Sequence, residues 1–178
     1  MVYSIQTIQQ RRTVLNELLI KFKYFPFEER QTKLEQLQQL TSVTLPNNLM
    51  MTSEQIKQLY RAGMEIGAHT VEHPILTRID DQQAFTEIST SKETLESIVG
   101  DSIRVFSYPN GKPNKDYLIN HTHMVKEIGF EAAVSTAWGA ANNKTDVFQL
   151  PRFTPWDLKR NQFIARMARN MLTVPEVA

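Results

Sequence analysis

Past Gly63 the chain changes rhythm. Short apolar segments of six or seven residues, MEIGAH (64–69), IRVFSYP (103–109), EAAVST (131–136) and VFQLPRF (147–153), alternate with helical stretches over 81–99, about 115–128 and about 159–171. Parallel strands cannot be joined by a tight turn, so strands spaced by helices build βαβ units and an α/β fold. In such units the functional groups gather beyond the carboxyl ends of the strands. His69, the Tyr108-Pro109-Asn110-Gly111 turn and Arg152 all fall near such ends. In the 81–99 helix, Phe85, Ile88, Leu95 and Ile98 recur on one side, the stripe expected of a helix packed on a sheet.

The first 64 residues read differently, as helices over about 5–22, 26–40 and 52–62. Leu34, Leu37 and Leu40 recur at helical spacing among Gln, Glu and Lys, which predicts one packed face and one solvated face. Thr52 or Ser53 opens the third helix and Gly63 suits its C-terminal cap. The weakest point for a boundary lies near 41–52, giving a helical segment over 1–50, an insertion or appendage, and an α/β domain over 51–178.

Composition narrows the partners. A net charge of +1 without a dense Lys/Arg block argues against nucleic acid and anionic membrane as ligands. The opening MVYSIQTIQQRRTVLNELL lacks the apolar core and cleavage site of an export signal, and no run approaches the roughly 20 apolar residues of a membrane span. The compartment stays open. With no cysteine, any metal must be held by His, Asp or Glu.

Two of the four histidines, His69 and His73, stand four residues apart in GAHTVEHP. Imidazole is the commonest protein ligand for zinc, and a catalytic zinc takes three protein ligands with one position open. The pair reads as part of a metal site, or as a hydrogen-bonded pair at a strand end. HTVEH also fits the H-x-x-E-H pattern of inverted zincins, with Glu72 as general base, but that reading needs one continuous helix. Pro74 biases His73 away from the right-handed helical region.

The turn at 108–111 is either a plain Pro-Asn-Gly turn or one whose Asn110 or Gly111 N–H faces a substrate oxygen. Arg152 could grip a carboxylate or form a surface ion pair, the latter favoured. His121 and His123 are expected to be solvated rather than ligands. Trp138 and Trp156 could stack on a sugar face, although packing is the commoner fate.

Taken in order, GMEIGAHTVEHPIL, the helix ending TLESIVGDSI, RVFSYPNG, IGFEAAVST and LPRF resemble the polysaccharide deacetylase (NodB-homology) family over about residues 50–157. The resemblance implies a partial distorted (β/α) barrel and a metal-dependent hydrolase that removes acetyl groups from a polysaccharide or oligosaccharide, using a divalent metal, usually zinc. It implies His69 and His73 as metal ligands, Asn110 and Arg152 as catalytic-site residues, and Tyr108, Pro109 and Gly111 on the substrate wall, beside which Trp138, read from its ring alone, is a candidate substrate contact. Members often act in the cell envelope.

The family's early T-F-D-D-G-like motif, source of the catalytic base and the third metal ligand, has no counterpart before Gly67, and the late Leu-x-His motif is missing. Asp80-Asp81 suits a helix cap instead. The expectation is therefore an incomplete domain, weakly active or inactive alone, that self-associates or needs a missing amino-terminal segment. A glycan- or protein-binding remnant without catalysis is the alternative.

Overall fold

The computed structural model describes residues 3–178. Met1 and Val2, which open the stretch read for an export signal, lie outside them. Among the described residues no helix is long and apolar enough to cross a membrane. Two compact units divide between Leu49 and Met50.

The first unit holds α1 (Ile8–Lys23) and α2 (Phe27–Thr41). The Thr7 hydroxyl accepts the Gln10 N–H at 3.2 Å while the Gln10 side chain accepts the Thr7 N–H at 3.0 Å, a reciprocal cap that satisfies two donors at the helix start. Neither helix buries a residue completely. The expected packed face of α2 is not realised: Leu37 is half-buried, but Leu34 is exposed and Leu40 is 84% exposed. Two short helices offer each other little covering surface.

The second unit opens with α3 (Ser53–Arg61), capped reciprocally by Thr52 and Gln55. It ends as the glycine predicts. The Met64 N–H donates to Leu59 O at 3.1 Å and the Gly63 N–H to Tyr60 O at 2.9 Å, with Gly63 at φ 84°.

Four strands then form an all-parallel sheet in chain order: β1 (Gly67–Ala68), β2 (Val105–Ser107), β3 (Ala132–Ser135) and β4 (Leu150–Pro151). Helix α4 (Asp81–Val99) connects β1 to β2, α5 (Ile119–Glu127) connects β2 to β3, and α6 (Arg160–Met171) follows β4. The register aligns Ala68, Phe106 and Ala133, and all three are buried on one face. Ile88 of α4, Val125 of α5, Leu76, Ile103 and Phe130 complete that core. Asp80 caps α4, its Oδ1 accepting the Gln83 N–H at 2.8 Å, so the Asp80-Asp81 pair serves the helix as expected. Lys92 is buried on α4 in an ion pair with Glu96, and Glu96 Oε1 also accepts the Ile103 N–H at 3.0 Å, tying the helix to the approach of β2.

The strands are shorter than their apolar runs. Residues 147–149 form a 3-10 turn because the Asp146 carboxylate accepts the Phe148 N–H at 2.9 Å, leaving only Leu150 and Pro151 to pair. Pro151 lacks an N–H, which suits an edge strand. Helix α5 begins at Ile119 rather than near 115, because the Asp116 N–H closes a turn on Lys112 O at 2.9 Å and Leu118 is extended.

His121 corrects the expectation of a solvated side chain: it is buried, and its Nδ1 accepts the Leu118 N–H at 2.9 Å, capping α5. His123 is exposed. Burial holds the His121 pKa below the ordinary value, so the folded state keeps the neutral ring and the unfolded chain binds the extra proton. Stability is therefore lost as pH falls below the unfolded value of about 6.5. The urea midpoint should drop between pH 7.5 and pH 5.5, and less steeply in His121→Gln; equal slopes in the two proteins would assign the pH dependence to other groups.

Candidate active site

The carboxyl ends of the four strands deliver, in order, His69, the 108–111 turn, residues 136–138 and Arg152. His69 follows β1 directly, and its Nδ1 lies 2.6 Å from Ser107 O at the end of β2. A carbonyl can only accept, so Nδ1 carries the proton and the Nε2 lone pair is left for a metal. The His73 ring meets that of His69 edge-on, with centroids 4.7 Å apart and planes at 74°. Both side chains are exposed.

The chain between them is bent rather than helical. Thr70 stands at φ 60° and His73 at φ 53°, both left-handed, and the Thr70 hydroxyl donates to His69 O at 2.6 Å. This overturns the inverted-zincin reading of Glu72, because two histidines on one helical face are not present. His73 lies outside the right-handed helical region that Pro74 disfavours, but in the left-handed region rather than the extended one.

The two rings stand in contact at the rim, and the His69 Nε2 is the ring nitrogen that Ser107 does not engage. Among the described residues no third His, Cys, Asp or Glu joins them in a metal-holding group.

The 108–111 turn is a γ-turn centred on Asn110 at φ 58°, with the Gly111 N–H donating to Pro109 O at 2.7 Å. That bond corrects one expectation: the Gly111 N–H is committed inside the turn. Asn110 remains the candidate donor, and its side-chain Nδ2 is buried without a partner. Thr136 holds the turn against β3, its hydroxyl donating to Asn110 O at 2.7 Å and its N–H to Gly111 O at 2.8 Å.

Tyr108 and Pro109 do not face a ligand, because both are fully buried. The Tyr108 hydroxyl donates to Phe148 O at 2.9 Å, and its ring stacks on Tyr117 at 3.9 Å. Burial raises the Tyr108 pKa far above the ordinary value. These two residues back the wall rather than line it.

Arg152 is exposed, and its N–H continues the sheet by donating to Ser135 O at 3.0 Å. The favoured surface ion pair is not found among the described residues. Trp138 is half-exposed and packs edge-on to Phe153 at 5.3 Å, with the Arg166 guanidinium 5.9 Å from its ring. It borders a hollow of about 540 Å³ shared with Lys112, Thr136 and Glu176. Trp156 is 84% exposed. Behind Trp138, the buried Asn170 amide bonds both ways with Gly139, at 2.8 and 3.0 Å, clipping the end of α6 to the chain leaving β3.

Sequence reasoning missed Glu87. Its Oε2 accepts the N–H groups of both Val71 and Glu72 at 2.9 Å. Only the requirement that a bent loop find acceptors for its amides could have pointed to it, and nothing in the sequence says which acidic residue answers.

Comparison with known proteins matches this architecture to one family. The polysaccharide deacetylase family model matches residues 8–133. A curated relative, YxkH of Bacillus subtilis (strain 168), is named as a polysaccharide deacetylase and is 28% identical over 102 residues, covering 57% of this chain and 35% of its own. The Streptococcus pyogenes deacetylase PplD, solved in complex with acetate, superposes with a TM-score of 0.59 at 22% identity, over 68% of this chain and 52% of PplD. The Bacillus cereus polysaccharide deacetylase BC0361 gives 0.56 at 20% identity, over 69% and 38%. At those identities the likeness speaks for the fold.

The chain belongs to the polysaccharide deacetylase family. It spans about half or less of the length of these relatives. The family match begins at residue 8, well before the motifs at about 50, and so includes the helices of the first unit.

Proposed function

We propose that this chain contributes the histidine half of a divalent-metal site, zinc being the preferred ion, in a hydrolase that removes acetyl groups from a carbohydrate. The observation that carries the reading is the convergence of His69 and His73, with His69 oriented by Ser107 O, in a member of this family. A divalent cation bound there supplies Lewis acidity toward an acyl oxygen and acidifies water. Ser107 fixes the His69 tautomer, and the Asn110 N–H would be the donor to a developing oxyanion. Arg152 and Trp138 offer polar and apolar contacts to a sugar chain further along the rim.

No third His, Cys, Asp or Glu completes a metal-holding group with the histidines among the described residues. The carboxylate that reaches their loop, Glu87, is engaged by two backbone amides, so no residue is assigned to remove a proton from water. General base catalysis is worth about 10²- to 10⁴-fold. The chain alone is expected to release acetate slowly at most. The same observation favours a second reading, glycan binding without turnover.

Titration calorimetry with Zn²⁺ should show one site per chain, weakened more than about 100-fold in both His69→Ala and His73→Ala, beyond the 10- to 100-fold typical of supporting residues. No binding, or binding untouched by either change, would sink the metal site. Acetate measured from an N-acetylglucosamine oligomer with protein in excess separates the two readings: release that needs both histidines supports hydrolysis, while oligomer binding without release supports the remnant.

A further inference from the structure

We propose that Glu87 is the positioning residue that shapes the 69–73 loop so that His69 and His73 can share one metal ion, a role resting on the metal reading above. The loop bends at two left-handed residues, Thr70 at φ 60° and His73 at φ 53°. Side chains with a Cβ occupy that region at a cost, and such conformations persist only where the surroundings over-determine them. Three anchors do so here. The His69 ring is held by Ser107 O, the Thr70 hydroxyl closes on His69 O, and Glu87 Oε2 collects the Val71 and Glu72 N–H groups at 2.9 Å each.

The third anchor differs in kind. Two consecutive amides aimed at one carboxylate oxygen make charge-assisted bonds, the strong class. They grip the loop midway between the two histidines. Glu87 stands on α4 one residue before Ile88, which is fully buried, as is Ala84 one turn earlier. The helix is therefore seated in the core, and Glu87 transmits that fixed position to an otherwise exposed loop. Without the carboxylate, both amides would turn to water. Only the two anchors at His69 would remain from that set, the middle of the loop would lose its hold, and the rings would leave their 4.7 Å edge-on arrangement.

The test uses the full chain with Glu87→Ala, Glu87→Leu, Glu87→Gln and the control Glu93→Ala, an exposed carboxylate on the same helix. Two readouts are needed: Zn²⁺ affinity by calorimetry, and the ring nitrogen signals of His69 and His73 by NMR in the metal-free protein. Glu87→Ala should weaken Zn²⁺ about 10- to 100-fold, as supporting partners do, and should shift or broaden both ring signals. Glu87→Leu should do the same, and it keeps the helix covered should the alanine variant not fold. Glu87→Gln retains an acceptor oxygen and should recover most of the loss, while Glu93→Ala should match the parent. Unchanged affinity and unmoved ring signals in Glu87→Ala or Glu87→Leu would overturn the proposal, as would equal losses in all four variants. If the parent chain binds no Zn²⁺, the metal reading fails by itself, and the ring signals alone decide whether Glu87 shapes the loop.

Discussion

Truncating Phe106 to alanine is expected to destabilise the second unit by about 3–5 kcal/mol. Phe106 is the large residue of a row whose other members are Ala68 and Ala133, and all three are fully buried. Its ring meets Tyr108 at 5.3 Å and Phe130 at 5.4 Å, so the cavity would open among aromatic rings that cannot collapse into it. A loss of that size is a large part of the 5–15 kcal/mol that holds a typical domain folded. Phe106→Leu, which keeps most of the volume, should cost under about 1.5 kcal/mol. Urea unfolding followed by tryptophan fluorescence isolates this unit, because Trp138 and Trp156 both lie in it. A cost below about 1.5 kcal/mol for the alanine variant would mean that the core closes over the gap. The change should also reach the site, since Ser107, the partner of His69, is the next residue.

The second large effect is expected at Gly111. It stands at φ 70°, and a Cβ there would lie 3.0 Å from Thr136 N and 3.1 Å from Tyr108 O, both backbone atoms. Gly100 has a similar φ of 77° at the end of α4, yet nothing lies within 4 Å of its would-be Cβ. The two alanine variants thus share the left-handed penalty and differ only in the clash. About 1 kcal/mol is expected for Gly100→Ala and about 3 kcal/mol for Gly111→Ala. Equal losses in urea unfolding would show that the turn moves away from Thr136 without cost. In that event the Asn110 γ-turn is softer than its three bonds to Thr136 and Pro109 suggest.

Much of this architecture could be read from the residues because local rules and tertiary packing agreed. Thr52, Asp80 and Gly63 cap helices where their chemistry predicts, and the four apolar stretches each hold a strand of one parallel sheet. Strand length was not legible. Pairing stops where the chain must turn toward the site, and the Asp146 cap that converts 147–149 into a 3-10 turn is a side-chain decision.

The site divides the same way. His69 and His73 announce themselves by residue type, whereas Glu87 is one carboxylate among several on α4. Its role arises only when the fold brings residues 15 and 16 apart onto one oxygen. His121 misled because spacing on a helix says nothing about a ring that folds back onto its own first turn. Tyr108 misled because a motif residue can matter by standing behind a wall.

The sheet grows strictly sideways, each strand beside its predecessor. The rim of the site is consequently written in the same direction as the chain. With neighbouring strands about 4.8 Å apart, three spacings carry the rim roughly 14 Å from the end of β1 to the end of β4. A compact ligand would touch the loops of two neighbouring strands and leave the others unread. A chain-like ligand laid along the rim would meet His69, the Asn110 turn, Trp138 and Arg152 in their order of synthesis, so truncating such a ligand from one end should silence these residues one at a time.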